Sequence, residues 1–296
     1  MVDPISTAAI GAAAHVARSA SDEGTKVAGG LITRLLGPSA DILGANWAEQ
    51  LRERNMQRLL AKTEKRARKK EESGKNPGIA NPRVASQVFE SAQYADGEVV
   101  AEYLSGVLAS SRSATGEGDA GVAWSTVVSR LSSDQLAMHY VIYASARPLV
   151  IDQRYSRAND VHQLEVILPL LEMLASLGMV GPNSEPKVER FSDALDGLMR
   201  EGLLEVGYRY GEVVHTFESE LASGRTIVAP LTHAVRVNLS IHGMRLFVWG
   251  NGAGELGPTA YLDQAVELQA VDPQEAPTLL DVYTVETATA APSPAM

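Results

Sequence analysis

The chain has 296 residues, contains no cysteine and carries a formal net charge of −10 at pH 7. Its 45% hydrophobic content is enough to bury the core of one or two domains. The absence of cysteine excludes disulfides, thiolate chemistry and cysteine-ligated metal, and is typical of an intracellular protein, so we predict a cytoplasmic location. Aromatic residues make up only 5% of the chain, which leaves few platforms for stacking nucleic-acid bases.

Charge is distributed unevenly along the chain. Between Leu51 and Lys75, ten lysines and arginines stand against four acidic residues, so this segment has a net charge of +6 and the rest of the chain −16. A basic segment on an acidic protein can contact an anionic membrane surface at the inner face of the membrane, nucleic acid, or the acidic face of another subunit. No apolar stretch reaches the roughly 20 residues of a spanning helix, and no basic start typical of a signal peptide is present.

The first predicted region, residues 1–75, is helical. An alanine-rich stretch leads into an amphipathic helix on which Leu51, Leu59 and Leu60 mark the apolar face before a strongly basic end. Such a helix suits a lipid headgroup region. We favour a helix packed on the body or on another subunit, because only its far end is strongly cationic. The candidate residues for contact with a membrane or a partner are Trp47, Arg52, Arg54, Arg58, Lys62, Lys65, Arg66, Arg68, Lys69 and Lys70.

The second predicted region, residues 76–150, is a helical core. Apolar stripes predict two short helices hinged at Asp96 and Gly97, with Asp96 as the N-cap of the second. A further helix is predicted to start at Ser132 to Asp134 and to end before Pro148, because proline disfavours a helical conformation at the preceding residue.

The third predicted region, residues 151–250, resembles a winged helix-turn-helix unit. One helix is predicted over residues 161–177 and a second from Lys187 to a stop at Gly202. Strands over residues 203–210 and 235–239 then flank a long wing insertion, and Ser240 caps a closing helix. The predicted fold class is therefore mainly α: a helical bundle followed by a winged-helix-like α+β unit with a small antiparallel sheet.

The last predicted region, residues 251–296, is a Gly/Pro-rich loop and a tail. The run from Gly252 to Gly257 matches Gly-x-Gly-x-x-Gly, but Pro258 follows it and the preceding apolar run is better read as helix, so we predict a plain loop and no dinucleotide site. The proline-rich composition beyond Asp272 predicts disorder. Within the tail, a candidate docking patch consists of Leu279, Leu280, Val282 and Tyr283.

No catalytic or metal-binding constellation is recognisable in the sequence. The six histidines show no spacing that would bring two of them to one metal from a single helix. His215 and His233 would meet only across the wing insertion, and His139 is predicted to be a packed, hydrogen-bonded core residue. We therefore predict no cofactor and favour a non-enzymatic role, although residues distant in sequence can converge in space.

Several motifs, taken in their order and spacing, resemble the Abi-alpha family, the abortive-infection-associated proteins of bacteria. The resemblance covers about residues 30 to 250, and it implies a role in phage defence or prophage biology without implying catalytic residues. The motifs are Asn81-Pro82, Glu102-Tyr-Leu-Ser-Gly-Val-Leu-Ala-Ser110, Leu131-Ser-Ser-Asp-Gln-Leu136, Ala194-Leu-Asp-Gly-Leu-Met-Arg-Glu-Gly-Leu-Leu204 and Val237-Asn-Leu-Ser-Ile-His-Gly-Met-Arg-Leu-Phe247.

We therefore expect a homo-oligomeric or partner-binding protein that acts through protein or membrane-surface contacts. The alternative is a winged-helix transcriptional regulator that contacts DNA through Lys187, Arg190 and Arg200. Charge argues against DNA, because four acidic residues on the same helix, Glu189, Asp193, Asp196 and Glu201, would repel phosphates.

Overall fold

The structure is a computed structural model of the chain. It describes residues 54–74, 78–93, 95, 97–152, 157–161, 164–181, 185–212, 218–220, 226–228, 233–270 and 284–287. These residues form a mainly helical protein with small antiparallel sheets, which confirms the predicted fold class.

The chain divides into two compact units. Unit 1 takes the described residues up to Arg130 together with Trp249–Glu255 and Ala270, and unit 2 takes those of Leu131–Val248, Leu256–Gln269 and 284–287. These units differ from the four predicted regions, because the basic helix belongs with the helical core that follows it and the chain returns to unit 1 after residue 248.

Unit 1 is built from four helices and a two-stranded ladder among its described residues. Helix α1 packs along α3, and α2 and α4 complete the layer around α3. The predicted apolar stripe of α2 is buried, with Val84 and Val88 both at 0% exposure. The elements are α1 (Arg54–Glu72), β1 (Ile79–Ala80), α2 (Pro82–Ala92), α3 (Glu98–Ser110), β2 (Arg112–Ser113) and α4 (Gly121–Arg130).

The predicted pair of helices before and after residues 96 and 97 is confirmed, but the caps differ. Helix α2 begins after Asn81, whose side-chain oxygen accepts the amide hydrogens of Arg83 and Val84, and Pro82 occupies the first turn. Helix α3 begins after Gly97, which supplies no side-chain cap. The residue that flanks the helix is thus one position later than predicted, and Asp96, the predicted cap, lies outside the described residues.

A close backbone contact holds α3 inside unit 1. A Cβ atom on Gly106 would lie 1.7 Å from the carbonyl oxygen of Gly250, so only glycine permits this approach. Nearby, Ser110 Oγ donates to the carbonyl of Trp249 and accepts the amide of Gly254. Trp249 also stacks on Trp124, with ring centroids 6.1 Å apart.

Unit 2 combines helices with a four-stranded antiparallel sheet in the order β4-β7-β3-β8. A separate hairpin of β5 and β6 lies within the predicted wing insertion. The elements are α5 (Ser133–Asp152), α6 (Ala158–Val161), β3 (Leu164–Pro169), α7 (Leu170–Ser176), α8 (Val188–Arg200), β4 (Arg209–Glu212), β5 (Glu218–Glu220), β6 (Thr226–Val228), β7 (His233–Asn238), α9 (Ile241–Gly250) and β8 (Thr284–Thr287).

Two strands of this sheet contradict the sequence predictions. The predicted helix over residues 161–177 is interrupted by β3, where Val166 and Leu168 face the buried side opposite Val237 and Val235 of β7. Strand β8 pairs with β3 inside the tail that was predicted to be disordered. The candidate docking patch at residues 279–283 lies outside the described residues.

The predicted two-stranded wing is also corrected. Gly202 ends α8 as predicted, with φ of +68° and its amide bonded to the carbonyl of Met199. The following strand is broken, because Leu204 pairs with Leu239 while Gly207 adopts φ of +97° and regular pairing resumes only at β4.

The predicted serine caps at the starts of α5 and α9 are confirmed, whereas the predicted end of α5 is wrong. Ser132 Oγ accepts the amide of Gln135, whose side chain accepts the amide of Ser132 in return. Helix α5 then continues through Pro148 to Asp152 rather than ending before the proline. Ser240 Oγ accepts the amide of Gly243 and caps α9 as predicted.

The glycine run at 252–257 follows a helix, α9, and leads into two short 3₁₀ turns, Gly254–Leu256 and Pro258–Tyr261. A dinucleotide fingerprint would instead follow a strand and open an α-helix. The predicted loop is therefore confirmed.

Candidate contact surface on the basic helix

The helical period of α1 sorts its residues into a buried face and an exposed face. Met56 and Leu59 are 0% exposed and Leu60 is 3% exposed. Lys62 and Arg66 follow at three- and four-residue spacing on the same side and are also buried, whereas Lys65, Arg68 and Lys69 are exposed. The cations of this segment therefore belong to two different environments.

The buried cations are paired with one carboxylate. Lys62 Nζ lies 2.7 Å from Glu102 Oε1, and Arg66 NH2 lies 2.6 Å from Glu102 Oε2, with side-chain exposures of 2%, 7% and 5%. In this fold Lys62 and Arg66 are therefore buried against α3 and expose little surface to a membrane or a partner. The physical reason is that a buried charge requires a close counter-charge, which α3 supplies.

This buried ion cluster extends along α1. Arg58 Nε lies 2.6 Å from Glu98 Oε1, and Lys62 Nζ lies 3.4 Å from Glu98 Oε2. Arg66 also donates to the carbonyl of Asn251 at 2.8 Å. The cluster thus joins α1, α3 and the segment after α9 within unit 1, and it holds three cations against two carboxylates.

The sequence did carry a signal for this cluster. Glu102 stands inside α3, where every residue from Ala101 to Ser110 is buried. A carboxylate flanked on both sides by small and apolar residues of a buried helix needs a cationic partner. What the sequence could not reveal is that its partners would come from the basic segment.

The exposed face of α1 carries the remaining contact candidates. Arg68 is 67% exposed and forms a 3.3 Å pair with Glu64 in the same helix, while Lys70 lies 2.9 Å from Glu255. Trp47 and Arg52 lie outside the described residues, and so does the side chain of Arg54. We call Lys65, Arg68 and Lys69 the exposed cationic face.

The DNA alternative gains no cationic surface from α8. Lys187, Arg190 and Arg200 are exposed, but so are Glu189, Asp193 and Asp196. Arg190 is held in a two-point ion pair with Asp134 of α5. That hydrogen-bonded carboxylate raises the pKa of Arg190, and the pair leaves the guanidinium less available to phosphate.

His139 and Tyr143 form a buried polar centre in unit 2. The prediction of a packed, hydrogen-bonded histidine is confirmed: His139 is 0% exposed, lies 3.1 Å from the carbonyl of Gly243 through Nε2, and stacks on Tyr143 at 4.4 Å. Burial lowers the pKa of His139 to about 3 and raises the pKa of Tyr143. Both groups are therefore neutral near pH 7, and His139 is a poor general base there.

The remaining histidine pair of the sequence analysis is not brought together within the described residues. His233 is exposed at the start of β7 and stacks on Tyr210 at 6.2 Å, while His215 lies outside them. Across the described part of the chain, no three His, Asp or Glu side chains converge with metal-ligand geometry. No described helix combines the length and hydropathy needed to cross a membrane.

An open cavity of about 370 Å³ lies in unit 2, lined by the 3₁₀ turns and the segment that follows them. Arg147 fixes this segment by donating to the carbonyls of Tyr261, Asp263 and Val266. Among its lining residues the cavity offers one carboxylate, that of Asp263, and one hydroxyl, that of Thr259. Its lining residues are Leu256, Thr259, Ala260, Leu262, Asp263 and Val266.

Comparisons of the chain with family models, curated proteins and solved structures gave no match.

Proposed function

We propose that this protein acts in bacterial phage defence or prophage biology, as a non-enzymatic component of the abortive-infection type. It works by binding an acidic protein surface through the exposed cationic face of α1. The biological setting is supported by the ordered motifs that resemble Abi-alpha proteins. The mode of action is supported by one observation: Lys65, Arg68 and Lys69 are exposed on α1, whereas Lys62 and Arg66 are buried against Glu102.

A protein partner is favoured over a membrane because the apolar face of α1 is already occupied. A helix that lies in a lipid headgroup region inserts its apolar side, and here Met56, Leu59 and Leu60 are buried in unit 1. The three exposed cations alone would give about 3 kcal/mol on an anionic surface, at roughly 1 kcal/mol each. A single myristoyl chain, with a binding constant of about 10⁴ M⁻¹, is stronger and still gives only reversible binding.

A second copy of the chain fits the description of an acidic partner. Outside residues 51–75 the chain has a net charge of −16, so the exposed cationic face of one copy is attracted to the acidic residues of another. This attraction predicts self-association that weakens as salt is added.

The functional test is a phage challenge of bacteria that carry the gene with its natural neighbouring genes. Lys65→Gln/Lys69→Gln removes two charges from the exposed cationic face, and we expect it to reduce protection. Arg83→Glu changes the net charge by the same amount at a 70% exposed residue of α2, so it serves as the matched control. Protection that is absent from the unaltered system, or equal in both variants, would refute the proposal.

Two binding assays separate the classes of partner. Light scattering over a range of concentrations should show a mass that rises with concentration at low salt and rises less for Lys65→Gln/Lys69→Gln. Flotation with vesicles containing phosphatidylserine should show little binding. Strong flotation that the double variant abolishes would replace the protein partner with a membrane surface.

A further inference from the structure

Strand β4 forms an edge of the four-stranded sheet. The order β4-β7-β3-β8 gives it one strand neighbour, β7, and no described strand pairs with its other side. The chain around it exposes large apolar side chains: Val206 is 92% exposed, Tyr208 36% and Tyr210 60%. An edge strand with exposed aromatic side chains can add a further strand.

Charge protects this edge only in part. Proteins commonly block edge strands with lysines or other outward charges. The one cation of β4, Arg209, has a 72% exposed side chain but is paired with Glu165 on the sheet surface, with Arg209 Nε 2.9 Å from Glu165 Oε1. With one arginine and one glutamate, the strand as a whole is also formally neutral.

We propose that β4 pairs antiparallel with β4 of a second copy of this chain, about a twofold axis at Tyr210. This strand belongs to unit 2, whereas the exposed cationic face of α1 belongs to unit 1. In an antiparallel pair, directly opposed residues have their side chains on the same face of the sheet. A twofold axis perpendicular to the sheet keeps every residue on its own face, so the axis must pass midway between two copies of the same residue. The four residues of β4 therefore offer only a few registers.

The side chains select among these registers. An axis at Arg209 would place two arginines opposite each other, and like charges in that position are destabilising. An axis at Gly211 would place no side chains at the centre. An axis at Tyr210 places two tyrosines face to face and sets Arg209 opposite Gly211, where glycine leaves room for the long side chain.

The chain's own charge is compatible with a second copy at this edge. Two molecules that each carry −10 repel one another over most of their surfaces. A formally neutral strand is among the places where they can approach with the least repulsion. An antiparallel ladder is also self-complementary, so one edge supplies both halves of the interface.

The test uses the absence of cysteine from the chain. Tyr210→Cys places one thiol on the proposed axis, where opposed Cβ atoms lie about 4.5 to 5.5 Å apart and small shifts permit a disulfide. Mild oxidation should therefore give a disulfide-linked dimer. Val206→Cys is the matched control, because residue 206 is more exposed but lies four positions before the axis.

In the proposed register the two copies of position 206 lie roughly 26 Å apart at about 3.3 Å per residue, so their thiols cannot meet within one dimer. We expect at least about tenfold more linked dimer from Tyr210→Cys than from Val206→Cys. Equal yields from both variants, or none from Tyr210→Cys, would overturn the proposal. Adding Lys65→Gln/Lys69→Gln to Tyr210→Cys should leave the cross-link intact, so this interface and the α1 contact can fail separately.

Discussion

Glu102→Gln should destabilise unit 1 by about 3 kcal/mol or more. The change keeps the shape of the side chain but removes the negative charge of the carboxylate. The two oxygens of that carboxylate lie 2.7 Å from Lys62 Nζ and 2.6 Å from Arg66 NH2. At an effective dielectric constant of 20, each contact represents about 6 kcal/mol of gross attraction, most of which offsets desolvation. Removing one partner leaves buried cations uncompensated, and such losses are typically about 3–5 kcal/mol. The amide of the glutamine would also face donors only.

Urea unfolding followed by tryptophan fluorescence measures this effect, because Trp124 and Trp249 stack on each other within unit 1. At a slope of roughly 2 kcal/mol per molar, 3 kcal/mol lowers the urea midpoint by about 1.5 M. Lys62→Met added to Glu102→Gln restores the original charge balance of the cluster, so it should recover part of the loss. Arg68→Gln, in an exposed pair, should cost no more than about 1 kcal/mol. The reasoning would be refuted if Glu102→Gln lowered the free energy of unfolding by less than about 1 kcal/mol. It would also be refuted if the loss in the double variant equalled the sum of the losses in the two single variants.

Three further predictions follow from the described residues. Gly106→Ala should destabilise unit 1 by about 1–3 kcal/mol or more, measured by the same unfolding assay, whereas Gly118→Ala, with nothing within 4 Å of the added Cβ, should not. The folded protein holds the pKa of His139 at about 3, against an ordinary value of 6.5. Between these two pH values the unfolded chain binds more protons than the folded chain, so the free energy of unfolding falls as the pH drops. In chemical unfolding between about pH 4 and 5.5, His139→Phe should flatten the dependence of that free energy on pH by about 1.4 kcal/mol per pH unit. Duplex DNA at moderate salt should not bind in a mobility-shift assay, and binding that Arg200→Gln weakens would instead support the regulator.

The sequence predicted the elements whose ends are set by local chemistry. The hydroxyls of Ser132 and Ser240 cap α5 and α9, and Gly202 ends α8 in a left-handed conformation. Each signal acts within a few residues of the chain, so it can be read without knowing the fold. For the same reason Pro148 misled the prediction: its local preference is overridden where tertiary packing holds α5 together.

The strands of unit 2 were missed because their partners are distant in sequence. Val166 pairs with Val237 on one side and with Val285 on the other. The run from Leu164 to Leu168 is nearly continuous in apolar character, and such a run fits a buried strand as well as a buried helix. Nothing local distinguishes the two, since the deciding hydrogen bonds come from β7 and β8.

The number of cations in the basic segment does not reveal which of them lie on the surface of the folded protein. Leu59, Lys62 and Arg66 recur at three- and four-residue spacing and share one side of α1. Lys69, however, stands seven residues after Lys62, which places it only about 20° from Lys62 around the helix, so helical phase alone does not separate the buried cations from the exposed ones. Only the fold reveals that Glu102 meets the buried group, because that carboxylate lies on another helix. An isolated peptide of this segment would lack that partner and expose its apolar face, so its lipid binding would not report on the whole protein.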